Sequence, residues 1–280
     1  MRITDFDIYK DLLKEKSGLV LTQDKSYLLD SRLNPVAKKW GYENIEAMTN
    51  VLRGVPPKEL IVDIVEAMTT NETSFYRDIR PFDIFRDTVL EYYKANPKVT
   101  KRLRIWCAAS SSGQEPYSLA MLLKEKQHDM PGWNFDITAT DISYEILDQA
   151  KTAQYSQFEV QRGLPITLLM KYFTQLENEK WQLSDEIRNM IKFKYFNLLD
   201  SMASLGEFDV IFCRNVLIYF DNETKADILG RMSKLISDDG FLFLGGAETV
   251  IGITDAFVAV PGQRGLYAKQ DSKHLKTEAA

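Results

Sequence analysis

From Arg104 to Leu122 the chain reads RIWCAASSSGQEPYSLAML. An apolar run ends in small residues and a glycine, and an acid followed by a proline opens the next segment. That order predicts a strand, a tight loop and a helix. At the carboxyl end of a strand in an open α/β sheet, such a turn is where a nucleotide-like cofactor sits. Small residues let the backbone approach a ligand closely, and Pro116 suits the first turn of a helix. The loop lacks a complete G-x-G-x-x-G, and Glu115 stands where it would repel a phosphate. Taken alone, the loop also fits an ordinary strand-to-helix connection.

Working outward, strands are expected at 103–108, 135–140, 191–195, 208–213, 240–244 and 265–268. Helices are expected at 116–126, 144–152 and 225–236. This alternation predicts a doubly wound, mostly parallel sheet covered on both faces. The stretch from Tyr155 to about Met190 breaks the rhythm and is rich in aromatics, as a small inserted β subdomain would be. Upstream, residues 1–70 carry helical periodicity only: a first helix stopping at Gly18, a second from Gln23 to Trp40 with Pro35 kinking or breaking it, then 43–52 and 57–68. Residues 71–97 read as a linker and a connecting helix over 81–93, and 98–280 as the sheet domain. The tail 271–280 is expected to lack structure.

The length of 280 residues, with 45% apolar and 27% charged residues, fits a globular protein with an ample core. A net charge of -5 argues against a general nucleic-acid binder. Cys107 and Cys213 lie inside apolar strands, as buried thiols of a reducing compartment do. With only His128 and His274 available, no histidine-based metal centre is expected. The charged, amphipathic N-terminus is not a secretory signal, and no apolar run nears the roughly 20 residues of a membrane span. The expected location is the cytoplasm, with no membrane insertion.

Three further strand ends carry chemistry. Asp141 closes FDITATDIS, where an ionised carboxylate can accept two ribose hydroxyls or cap the next helix. Asn197-Leu198 offers a donor and acceptor for an adenine edge with an apolar cover, or simply a loop cap. In FDVIFCRNVLIYF, residues 208–220, an apolar strand runs straight into Arg214-Asn215, and charge is rarely buried without partners. The linker NETSFYR, 71–77, alternates polar groups around two aromatics, which a solvated loop would also do. Together they favour a cofactor with ribose hydroxyls and a positive charge but no phosphate, which describes S-adenosylmethionine. No Asn-Pro-Pro-Tyr, the mark of enzymes that methylate amide or base nitrogens, comes after the 208–213 strand.

MTTNETSFYR (68–77), SSGQEPYS (111–118), Asp141, RGLP (162–165), FNLL (196–199) and FCRNVLIYF (212–220) together resemble the CheR family, the chemotaxis receptor methyltransferases. The set spans most of the chain and is specific as a set. The resemblance implies a class I methyltransferase fold with a helical N-terminal domain. It implies S-adenosylmethionine-dependent O-methylation of receptor glutamates, and S-adenosylhomocysteine as product. Position by position it implies cofactor contacts from Asn71, Thr73, Arg77, Glu115, Asp141, Asn197, Leu198, Arg214 and Asn215. Arg77 and Tyr219 would orient the acceptor carboxylate. The chain departs from the commoner pattern at Gln114, and at Gly246-Ala247-Glu248 in place of His-Ser-Glu, which leaves Glu248 without an assigned role.

The same resemblance implies that the partner is the cytoplasmic coiled coil of a chemoreceptor, met by a monomer through Lys25, Arg32, Lys38 and Lys39. An ordinary solvated helix face would carry the same cations. The turn region 174–180 of the insertion has no glycine, so docking is expected not to need a receptor C-terminal pentapeptide. Two other classes compete. A dehydrogenase would need the missing glycine fingerprint and a catalytic base; a non-catalytic S-adenosylmethionine sensor or adaptor would use the same binding residues.

Overall fold

The computed structural model describes residues 3–98, 100–177 and 179–272. Residues 273–280 of the tail, with His274, and Asn178 of the insertion lie outside them. Helices α1 (Ile3–Ser17), α2 (Tyr27–Lys39), α3 (Ile45–Leu52) and α4 (Lys58–Met68) form the N-terminal region. Their apolar faces share one core built on Tyr9, Leu13, Leu29, Leu33, Met48 and Ile64. The expected break at Pro35 is absent. The second helix divides earlier instead, with a 3₁₀ turn at Gln23–Lys25 and α2 continuous through Pro35. Pro35 and Ser31, whose carbonyl loses its partner, are both exposed, so water can take that bond while buried Leu33 and Val36 hold the helix down.

After an irregular segment, α5 (Arg80–Ile84), a π-helical turn (Phe85–Val89) and α6 (Leu90–Ala95) run on without a break, so the helix expected over 81–93 is present with a π turn at its middle. Phe82 and Phe85 both reach Phe212 of the sheet, at 6.5 and 5.6 Å between ring centres. The sheet domain then runs β1 (Arg102–Ala108), α7 (Gln114–Lys126), β2 (Asn134–Asp141) and α8 (Tyr144–Thr152). The insertion comes next as β3 (Gln154–Ser156), α9 (Gln157–Gln161), α10 (Ile166–Tyr172), β4 (Phe173–Gln175) and β5 (Lys180–Leu183). The chain continues through α11 (Asp185–Arg188), β6 (Ile191–Tyr195), β7 (Phe208–Cys213) and α12 (Asn222–Leu235). It ends with β8 (Ile236–Leu244), β9 (Phe257–Ala259) and β10 (Leu266–Lys269).

The main sheet has the order β6-β2-β1-β7-β8-β10-β9, parallel from β6 to β8, with β10 and β9 antiparallel at the far edge. Order reverses between β1 and β7, so the loops leaving them diverge and open a crevice at the sheet's carboxyl edge. Side chains alternate across β1: Ile105 and Cys107 join the core on one face, Trp106 and Ala108 that on the other. The insertion is a three-stranded antiparallel sheet, β3-β5-β4, whose Tyr155, Tyr172 and Phe173 extend the first of these cores. Cys107 and Cys213 are buried and unpaired on opposite faces, and burial raises both thiols well above their ordinary range. Among the described residues no helix is long and apolar enough to cross a membrane.

Candidate active site at the carboxyl edge of the sheet

Five segments meet over the crevice: the stretch after α4, the β1–α7 loop, the β2–α8 and β6 exits, and the turn after β7. The cleft between them is lined by all ten residues singled out in the sequence, from Asn71, Thr73 and Arg77 through Glu115 and Asp141 to Asn197, Leu198, Arg214, Asn215 and Tyr219. Strain concentrates here. Of nine non-glycine residues with positive φ among those described, six (Tyr76, Asp78, Ile79, Ala109, Ser111 and Asn215) belong to these loops. Left-handed backbone at β-branched or bulky residues persists only where the surroundings over-determine it, which is common at binding sites.

Arg214 is the electrostatic centre. Its side chain is 1% exposed; Nη1 donates to Glu115 at 2.7 Å and Nη2 to Asp78 at 2.7 Å. Nη2 also donates to the Arg77 carbonyl at 2.9 Å, which ties the 69–79 segment onto the sheet. Burial raises the Glu115 carboxyl above its usual range even against the opposing Arg214 charge. Arg214 Nε and Ser110 Oγ are buried without a hydrogen-bond partner among the described residues, and both residues line the cleft.

Asp141 is held in place by two backbone donors, Ser111 N–H at 2.8 Å and Ser143 N–H at 3.1 Å. Ser143, not Asp141, caps α8, its hydroxyl accepting from Ile146 N–H at 3.2 Å. Burial raises the Asp141 carboxyl, opposed by those N–H groups. An ionised carboxylate has about four acceptor positions, so each oxygen keeps capacity for a ligand hydroxyl. Asn197 takes the loop-capping role while still lining the cleft. Its Oδ1 accepts from Leu199 N–H at 3.0 Å and its Nδ2 donates to the Lys16 carbonyl at 2.7 Å, so the side chain caps its loop. Leu198 beside it is buried against the cleft and supplies an apolar wall.

The 69–77 segment is a strap fixed at both ends. Arg32 of α2 donates to the carbonyls of Met68 and Thr69 at 2.8 and 2.9 Å. Arg162 of the insertion pairs with Glu72 at 2.6 Å, and at Gly163, φ +89°, a Cβ would overlap the Phe75 carbonyl oxygen. Ser111 Oγ donates to the Asn71 carbonyl at 2.9 Å, and Arg77 Nη1 to the Glu72 carbonyl at 2.7 Å. Arg32 is thus a strut within the protein and no free docking charge. Lys39 pairs with Asp63 at 2.8 Å, while Lys25 and Lys38 are exposed.

Several lining residues carry no signal in the sequence. Ser17 and Leu19, from the end of α1, form part of the wall. Val20 N–H donates to the Tyr219 carbonyl at 2.9 Å, and Lys14 pairs with Asp221 at 2.8 Å. Asp78 and Glu248 are also without a sequence assignment, although an acid just past β8 and its glycine pair stands at the same edge as the other strand-end acids.

Residues 4–69 match the family described as CheR methyltransferase, all-alpha domain, and residues 71–266 match CheR methyltransferase, SAM binding domain. The chain is 39% identical over 266 residues to the chemotaxis protein methyltransferase Cher2 of Pseudomonas putida, covering 94% of this chain and 96% of that protein. It is 40% identical over 270 residues to chemotaxis protein methyltransferase 1 of Pseudomonas aeruginosa, with 94% and 96% covered. Among solved structures, PKMT2 from Rickettsia typhi in complex with AdoHcy is similar over 63% of this chain and 26% of that one, at 18% identity and a TM-score of 0.38. Two family matches that together run from residue 4 to residue 266, with relatives near 40% identity across almost the whole length, place this chain in the CheR methyltransferase family.

Proposed function

We propose that the cleft binds S-adenosylmethionine and delivers its methyl group to glutamate side chains of methyl-accepting chemotaxis receptors, forming glutamate methyl esters for sensory adaptation. The observation that carries this reading is the meeting of ten residues, far apart in sequence, around one cleft at the sheet's switch point. The cleft's chemistry fits the cofactor. Asp141 has acceptor capacity for ribose hydroxyls, and Leu198 and Ile142 offer apolar walls.

When bound, the cofactor supplies an electrophilic methyl group on a sulfonium that departs as a neutral thioether. A glutamate acceptor is ionised near pH 7 and needs no general base. The protein's work is therefore alignment and exclusion of water. Arg77, held over the strap through one Nη, offers the rest of its donor fork to the acceptor carboxylate. Tyr219, anchored through its own carbonyl by Val20, directs its hydroxyl to the same group. Glu115 neutralises Arg214 and keeps the cleft floor from attracting phosphates.

The division into residues 1–70, 71–97 and 98–280 rests on the separate helical core and the strap that leads out of it. The cytoplasm fits two buried free thiols. Docking on an acidic receptor coiled coil by a monomer would rest on Lys25 and Lys38. The glycine-free turn region 174–180 supports docking without a receptor pentapeptide. Incubation with radiolabelled S-adenosylmethionine and receptor-bearing membranes tests the reading. Base-labile label on the receptor is expected, reduced about 10²-fold in Arg77→Ala. Cofactor binding without incorporation, or full methylation and cofactor affinity in Arg77→Ala, would overturn it.

A further inference from the structure

We infer that Glu248 is a positioning residue for methyl transfer, its carboxylate clamping the turn after β7 into the shape that aims Tyr219 at the acceptor. The inference rests on the reaction proposed above. Four backbone N–H groups converge on this one side chain. Oε2 accepts from Asn215 at 2.8 Å and Gly245 at 2.6 Å; Oε1 accepts from Val216 at 2.9 Å and Leu217 at 2.7 Å. Three successive amides on one carboxylate make a concave anion nest, here filled by the protein's own charge. Bonds to an ionised acceptor are roughly twice as strong as neutral ones.

The geometry needs that anion. Asn215 is left-handed, at φ +60°, and the 3₁₀ turn Leu217–Tyr219 begins two residues later. The first N–H groups of a helical turn have no partner within the turn, and Glu248 takes them up. Gly245 makes room for the arrangement: a Cβ there would lie 2.7 Å from Glu248 Oε2 and 2.9 Å from both Asn215 N and Nδ2. Arg214 has its own anchors in Glu115 and Asp78, so the clamp acts on residues 215–219. The Glu248 charge is felt at Glu115, whose carboxyl it pushes further upward. Gly246 and Ala247 are exposed beside it and do not share the role.

Because Asn215 is the one cofactor contact inside the clamped turn, while Asp141 and Leu198 follow other strands and Arg214 keeps its own anchors, releasing the clamp should disturb the acceptor side of the cleft more than the cofactor side. Glu248→Gln keeps the shape but turns an NH2 toward donors; Glu248→Ala removes both oxygens. The experiment measures kcat and KM on receptor membranes, cofactor affinity by calorimetry, and amide hydrogen exchange at residues 215–217 in the full-length protein. Expected for Glu248→Gln are a kcat at least 10-fold lower, a cofactor Kd within about 3-fold of the parent, and exchange at 215–217 at least 10-fold faster. Exchange in β7 should be unchanged, and Glu248→Ala should show a larger kcat loss. A kcat within 3-fold of the parent in Glu248→Gln overturns the inference, as does a kcat loss matched by an equal loss of cofactor affinity. If Glu248→Ala does not fold, Glu248→Gln decides. Parent protein that methylates nothing would be a failure of the proposed reaction, distinct from an active parent with an equally active Glu248→Gln.

Discussion

Replacing Arg214 by methionine should expose the electrostatic design of the cleft floor. The substitution keeps an unbranched side chain in the space but strips Glu115 of its partner, leaving an uncompensated carboxylate whose side chain is 11% exposed. Removing one member of a buried pair costs about 3–5 kcal/mol. The Asp78 pair, whose acid is 53% exposed, adds about 0–1 kcal/mol, and the guanidinium over the Phe82 ring about 0.5–1 kcal/mol. For a chain of this size the sum corresponds to a melting-temperature loss on the order of 10 °C or more. The loss should depend on pH with a definite sign. Burial already raises the folded-state Glu115 carboxyl above its unfolded value, and losing Arg214 raises it further. A raised acid binds its proton more tightly when folded. Its stabilising contribution is therefore complete below the unfolded pKa, about 4.3, and is lost as pH rises through the folded one. Arg214→Met should thus lie nearer the parent at pH 5 than at pH 8, and Arg214→Met combined with Glu115→Gln should recover most of the difference at pH 8. Calorimetric melts of the parent, the two single variants and the double variant at both pH values decide the matter. A loss below about 1 kcal/mol, an equal loss at both pH values, or no recovery in the double variant would refute the reasoning.

Asp141→Asn should weaken cofactor binding about 10–100-fold, the worth of a hydrogen bond to a charged acceptor, with unchanged affinity by calorimetry counting against a ribose contact. Gly163→Ala should destabilise the protein by about 2 kcal/mol or more, because its Cβ would overlap the Phe75 carbonyl. The same variant should loosen the strap, so a parent-like melting point and cofactor affinity would remove Gly163 from that account. Charge reversal at Lys25 and Lys38 should slow receptor methylation several-fold at low salt and less at high salt, leaving cofactor affinity intact; an unchanged rate would clear both lysines of a docking role.

Most of the cleft is legible in the chain because strand ends announce themselves. An apolar run stopping at Asp141 or Arg214 leaves a buried polar group at the sheet's carboxyl edge, where it must find partners. Other features are hidden by distance. Nothing around Ser17 or Leu19 tells that the end of α1 reaches the turn after β7. Arg32 looks like any helix-face cation until the Met68 and Thr69 carbonyls close on it. Asn197 offers two roles, and only the position of Lys16 shows that one of its amide N–H groups is taken up by the protein. Pro35 misleads because the cost of a helix proline depends on whether water can reach the abandoned carbonyl, a matter of exposure and not of sequence. The strand Phe257–Ala259 escapes notice since three residues at a sheet edge carry too little pattern to register.

The bond from Asn197 to the Lys16 carbonyl spans 181 positions, and Val20 waits even longer for Tyr219. A ribosome adding about 5–20 residues per second takes about 10–40 s to cover that interval. Through that time the end of α1 has been made but its wall of the cleft has no opposite side. Nascent or prematurely ended chains would therefore hold a helical bundle and part of a sheet, yet no pocket able to retain a small molecule. Ligand capture becomes a property of the finished polypeptide, and ligand in excess would draw late-folding chains toward the closed form and leave truncated ones behind.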